Sequence, residues 1–133
     1  MFLRVPHVEK VSILGLKDLS YLDKTLEGAP THKEQREVAS LGAFTDRIYL
    51  SAPDSLRVQG LGTSGGTLSF SKTNLPDCVV WNPWEERAAN MADLGAEHWA
   101  GFVCVEAGQC VTPVSLGPGQ QWSASHRLSY SPQ

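Results

Sequence analysis

Short apolar runs cut by glycine and proline, with almost nothing at helical period, constrain this chain more than any other feature. "HVEKVSIL" (7–14) alternates in part and carries Val8, Val11 and Ile13, and "GLKDLSYLDKT" (15–25) holds a second short apolar piece between Gly and Asp. "FTDRIYLSA" (44–52), "SLRVQGL" (55–61) and "TLSFSKT" (67–73) read as strands, the last two separated by the "GTSGG" turn. "CVVW" (78–81), "FVCVEA" (102–107), "VTPVSL" (111–116) and "QWSASHRLSY" (121–130) complete the set. Residues 26–42 are polar and read as a surface loop or hairpin arm. Strands at this spacing, with Gly/Pro turns between them, predict an all-β antiparallel sandwich.

One segment departs from that rhythm. In "WNPWEERAANMADLGAEHW" (81–99), Asn82 is a candidate helix N-cap, with Pro83 at the first helical position and Glu85 and Glu86 in the first turn. Trp84, Ala88 and Met91 recur at helical spacing and Gly95 marks a stop. The expectation is a short helix or pair of helical turns inserted over 83–94, its Trp and Met packing against the sheet.

At 133 residues the chain has the length of one domain with a modest core, expected to span 1–133. Hydrophobic residues at 41% and charged residues at 19% give an ordinary globular balance. The net charge of −3 and a pI near 5.7, with no basic stripe, argue against a nucleic-acid surface. No apolar run reaches the length of a membrane span, and "MFLRVPHVEKV" lacks the apolar core of a signal peptide. Three cysteines (Cys78, Cys104, Cys110) without a CxxC pair favour a reducing, cytoplasmic setting. The histidines His7, His32, His98 and His126 have no metal-ligand spacing, so no metal is expected.

"FVCVEAGQC" (102–110) poses the chemical question. Alternation puts Phe102, Cys104 and Glu106 on one face of a strand and Val103, Val105 and Ala107 on the other. A carboxylate in so apolar a run is paired, protonated, at a solvated strand end, or facing a cleft as a working acid or base. The spacing alone leaves these open.

Several segments together resemble one family. "VVWNPWEERAANMADLG" (79–95), "FVCVEAG" (102–108) and "PVSLGPGQQW" (113–122), preceded in order by "FLRVPHVEKVSILGLKDLSYLDK" (2–24) and "FTDRIYLSAP" (44–53), are similar to the C-terminal half of the hexose-6-phosphate mutarotases. These are glucose-6-phosphate 1-epimerases, of the aldose 1-epimerase superfamily. The resemblance implies a galactose-mutarotase type β-sandwich with a sugar cleft across one sheet. It also implies interconversion of α and β anomers by acid/base ring opening, with no cofactor or metal and a sugar phosphate as the small-molecule partner. It makes Glu106 the catalytic base, its pKa raised by partial burial, and Asp46 of "TDRIYL" a substrate-binding carboxylate. Read without it, Asp46 is a surface carboxylate paired with Arg47 or a neighbour.

The chain departs from the family pattern at its start. The family's acid histidine precedes a stretch that corresponds to "MFLRV" (1–5), and so falls just before Met1; the arginines that hold the phosphate lie further upstream. His7 and His98 are weaker candidates for the acid. Without its acid the base is expected to lose much of the roughly 10²–10⁴-fold that a positioned proton donor supplies. Half a sandwich is also expected to leave strand edges free for pairing with another chain. Two further readings stay open: a non-catalytic carbohydrate-binding or interaction module on the same fold, and a glycosidase using Glu106 and Asp46 as a carboxylate pair.

Overall fold

The computed structural model describes all residues, 1–133, as two packed antiparallel sheets. In chain order the strands are β1 (Phe2–Arg4), β2 (Ser12–Leu14), β3 (Ser20–Asp23), β4 (Thr31–Lys33), β5 (Val38–Ala39) and β6 (Thr45–Tyr49). They continue as β7 (Ser55–Leu61), β8 (Gly66–Thr73), β9 (Asp77–Asn82), β10 (Phe102–Gly108) and β11 (Ser125–Ser131). The first sheet has the order β1-β10-β9-β6-β3-β4 and the second β11-β8-β7-β2-β5. The sandwich predicted from turn spacing is therefore the observed architecture.

A core of 18 buried residues lies between the sheets. Alternation decides what enters it: Val103 and Val105 of β10, Cys78 and Val80 of β9, and Leu56 and Val58 of β7 point inward. At the end of β7 the register shifts between Gln59 and Leu61. Gly60 sits there at φ +87°, and a Cβ on it would meet the Lys10 carbonyl at 2.6 Å, so only glycine serves this bulge.

Two local expectations, over 7–14 and over 111–116, are corrected. Residues 7–14 do not form one strand: His7 starts a 3-10 turn, Val8–Lys10, and only Ser12–Leu14 is extended. The polar stretch 26–42, read as a surface loop or hairpin arm, supplies β4 as the arm that pairs with β3, and the two-residue edge strand β5. No strand forms over 111–116; the Asp77 carboxylate accepts hydrogen bonds from the Cys110 and Val111 N–H groups, which holds the chain in a turn, and Pro113 has no N–H for a ladder. The insertion over 83–94 is, as expected, a short helix with helical turns: α1 (Trp84–Ala88) followed by single turns. Beyond Ala88 the backbone bonds close mostly over three residues, as from Asn90 N–H to Arg87 O at 3.1 Å and from Met91 N–H to Ala88 O at 3.0 Å.

Asn82 is the last residue of β9, and Pro83 takes the N-cap position of α1. The Asn82 side chain is nevertheless the junction's organiser. Its Oδ1 accepts from the Trp84 N–H at 2.9 Å, and its Nδ2 donates to the Trp99 and Phe102 carbonyls, each at 2.8 Å. Fully buried, it joins the end of β9, the start of α1, the 3-10 turn Trp99–Gly101 and the start of β10. Trp84 is held at φ +59°, an uncommon state for a bulky residue, with its ring 4.6 Å from that of Trp99.

Candidate functional site

The first sheet has one face on the core and one away from it. On β10, Phe102, Cys104 and Glu106 occupy the outward face, as alternation predicts, while Val103 and Val105 are fully buried beneath. On β9 the outward positions are Val79 and Trp81, and on β6 they are Asp46 and Ile48.

Strand register then fixes who neighbours whom. Phe2 pairs with Cys104, Cys104 with Trp81, and Trp81 with Asp46, so one row crosses four strands. The next row runs Glu106, Val79, Ile48 and Leu22. Glu106 and Asp46 thus share a face, two strands and two residues apart. That is about 12 Å between backbones, with Trp81 and Val79 forming the floor between them. Parallel side chains at this spacing fall outside the roughly 5–9.5 Å that glycosidase carboxyl pairs use, which argues against that reading.

The Glu106 side chain is 40% exposed and its Oε1 accepts from the α-ammonium of Met1. Below it lies the Cys104 thiol, which burial and the neighbouring Glu106 charge push up to about 11. Asp46 is more enclosed, at 19% exposed, and its Oδ1 lies 3.4 Å from Lys24 Nζ. Lys24 is a ladder neighbour: its N–H donates to the Asp46 carbonyl at 2.8 Å. The pairing considered from sequence, with Arg47 or a neighbour, is made with Lys24 and not with Arg47. Arg47 points to the opposite face, its guanidinium 4.6 Å from the Tyr21 ring centre and 3.8 Å from both Asp23 and Glu34.

Three aromatic rings line the outward face beside these carboxylates. Trp81 and Phe102 lie 5.9 Å apart, Phe2 and Phe102 5.0 Å, and Phe2 and Trp81 6.4 Å. A depression of about 460 Å³ opens next to them, lined by Phe2, Arg4, His98 and Phe102 among others. The sequence reading missed Trp81 as a site residue. Its "WNPW" context was noted, but which face of the sheet it takes follows from the pairing of β9 with β6 and β10, and no local pattern states that.

Of the two histidines considered as acids, His98 lines that depression and His7 does not. His7 accepts from the Glu9 N–H at 3.4 Å and meets the Trp99 ring edge-on. His98 lies 3.3 Å from Glu97 in solvent. No group of three or more His, Cys, Asp or Glu side chains could hold a metal ion, and no helix is long and apolar enough to cross a membrane.

Comparison with known proteins agrees with this architecture. Residues 3–129 match the family model described as aldose 1-epimerase. A protein of Cenchrus ciliaris, provisionally named a glucose-6-phosphate 1-epimerase, is 32% identical over 128 residues, which is 96% of this chain and 38% of that one. The crystal structure of YeaD from Salmonella typhimurium, provisionally named a mutarotase, superposes with a TM-score of 0.88 at 20% identity, over 99% of this chain and 44% of that one. The crystal structure of HI1317 gives 0.73 at 15% identity, over 98% and 43%. The chain therefore spans about two fifths of the length of these relatives, and the likeness to the two solved structures is one of fold. With a family match over nearly its whole length, the chain belongs to the aldose 1-epimerase family.

Proposed function

We propose that this chain carries the base and a substrate contact of a hexose-6-phosphate mutarotase site. The observation that supports the reading most is the placement of Glu106 and Asp46 on one outward face of one sheet, bridged by an aromatic floor. Glu106 takes the proton from the C1 hydroxyl while an acid protonates the ring oxygen. The C1–O5 bond then breaks to give the open aldehyde, rotation about C1–C2 presents its other face, and reversal of both proton transfers closes the ring as the other anomer. Asp46 accepts hydrogen bonds from sugar hydroxyls and so orients the ring.

The acid in this reading is the family histidine. In β1 the register pairs Phe2 with Cys104 and Leu3 with Val103, and the same register extended by two residues would set a residue preceding Met1 opposite Glu106. The sequence resemblance puts the histidine at that position, within reach of a group bound against Glu106. The choice of glucose 6-phosphate is supported by the name of the Cenchrus ciliaris relative. A reducing, cytoplasmic location is supported by three free cysteines.

The test is anomer exchange of glucose 6-phosphate, followed by magnetisation-transfer NMR on this chain and on a longer form that carries the histidine. Exchange above the uncatalysed rate that disappears in Glu106→Gln supports the assignment. Undiminished exchange in that variant of the longer form rules Glu106 out as the base. The second reading, a sugar-binding module without catalysis, is favoured by one observation: the rings of Phe2, Trp81 and Phe102 on the outward face offer stacking surface that needs no acid or base. Sugar binding without exchange in either form would select it.

A further inference from the structure

The role of Trp81 follows from where the strands put it. Of the three tryptophans in 81–99, Trp84 and Trp99 pack against the core, whereas Trp81 lies on the opposite face of β9. It is the residue directly opposite Asp46 across β6 and diagonal to Glu106 across β10. Directly opposed residues stand about 5 Å apart at Cβ and diagonal ones about 7–8 Å, so the indole occupies the ground between the two carboxylates. Its ring is braced by Phe102 at 5.9 Å and Phe2 at 6.4 Å, and it retains partial exposure. An aromatic of this size on the outward face of a sheet loses part of its burial energy unless something covers it.

We propose that Trp81 is the platform on which the sugar ring stacks, with the C–H face of the pyranose on the indole and the hydroxyl edge turned to Asp46. Binding sites for small polar ligands are mostly apolar surface with a few placed polar groups, and Trp81 with Val79 between Asp46 and Glu106 has that composition. Stacking is indifferent to the configuration at C1, because the anomeric hydroxyl projects from the ring edge or the far face. A platform of this kind holds both anomers and the ring-opened chain over one spot while the proton transfers occur. The inference rests on the mutarotase reading for the class of ligand, a hexose phosphate, but stacking and catalysis fail separately.

The experiment is a titration of the full chain, labelled with ¹⁵N at its tryptophans, with glucose 6-phosphate and with 1,5-anhydroglucitol 6-phosphate, which lacks the anomeric hydroxyl and cannot mutarotate. The Trp81 indole N–H signal, identified by its loss in Trp81→Phe, is expected to move with either sugar while those of Trp84 and Trp99 stay in place. Binding is expected to weaken roughly tenfold in Trp81→Ala and about threefold in Trp81→Phe, which keeps a ring against Phe102 and so reports even where the alanine variant does not fold. Glu106→Gln is expected to keep the Trp81 response. A moving Trp81 signal without catalysed exchange in the longer form that carries the histidine keeps the platform and removes the mutarotase reading. Catalysed exchange with a stationary Trp81 signal, or binding unchanged in Trp81→Phe, overturns the platform and leaves that reading standing. No Trp81 response to either sugar at saturating concentration overturns the platform as well.

Discussion

Glu34 is the most deeply buried carboxylate of the chain, at 3% exposed, and two residues answer it. Arg36 reaches it with two guanidinium nitrogens, at 2.8 and 2.7 Å, and the Tyr49 hydroxyl donates at 2.9 Å. Burial alone would raise its pKa, but the hydrogen bonds from Arg36 and Tyr49 outweigh that and hold it at about 2, against 4.5 for a free glutamate. A depressed carboxylate contributes stability that is complete above the unfolded pKa and lost as pH falls through the folded one. Denaturant melts are therefore expected to lose about 2–3 kcal/mol between pH 4.5 and pH 2 from this residue, with solvent around Arg36 trimming the figure, and Glu34→Gln to flatten that part of the profile. The cysteines offer a second check. Burial pushes the Cys78 thiol up to about 12 and Cys104 up to about 11, while Cys110 is exposed. A thiol reagent is expected to label one cysteine in the native protein and all three in denaturant, and Cys110→Ser to remove the native reaction. The outward aim of Glu106 was legible in sequence because period-two alternation is local. The pairing of Glu34 with Tyr49 was not, since it joins side chains that only the fold brings together.

Elements depend on a few junctions, and the one at Asn82 carries the most. Three hydrogen bonds from one buried amide fix the end of β9, the turn into α1 and the entry to β10. Asn82→Ala strands a buried N–H and two buried carbonyls, and a loss of roughly 2–4 kcal/mol is expected in chemical denaturation. Asn82→Asp, which keeps the acceptor for Trp84 but loses both donors, should fall near the same value. The sequence reading placed the N-cap at Asn82 and Pro83 at the first helical position; the cap falls one residue later, on Pro83, although the Asn82 side chain does accept from the Trp84 N–H. The stripe of Trp84, Ala88 and Met91 announced helical turns but not where α1 gives way to single turns, after Ala88. Strands β7, β8 and β10 were legible because each is seven or eight residues long with clear alternation. The two- and three-residue strands β2, β4 and β5 exist through their neighbours' ladders, and nothing within so few residues announces them.

At the scale of the molecule, β1 ends one sheet and β11 the other, and the two edges meet at Gly62. The Gly62 N–H donates to the Arg4 carbonyl at 3.0 Å, and the Tyr130 hydroxyl lies against the same glycine. Leu128 and Tyr130 of β11 face the core side, in register with Phe70 and Leu68, yet each is 49% exposed. An unpaired seven-residue edge with two half-exposed large side chains invites association. Sedimentation is expected to show concentration-dependent self-association of this chain that Leu128→Lys suppresses; a monomer at all concentrations would count against pairing at this edge. The sandwich itself was readable from turn spacing, whereas the order of strands was not, because it is decided by contacts between distant segments. That order gives β9 a double duty. Its odd-numbered side chains make the floor under Asp46 and Glu106, and its even-numbered ones, Cys78 and Val80, fill the core. A slip of one residue in β9 would turn Trp81 into the interior and Val80 out to solvent at once. Mutations that unseat the floor by shifting this strand therefore surface first as folding failures, and a population of well-folded variants retains the floor's alignment without any selection on the reaction.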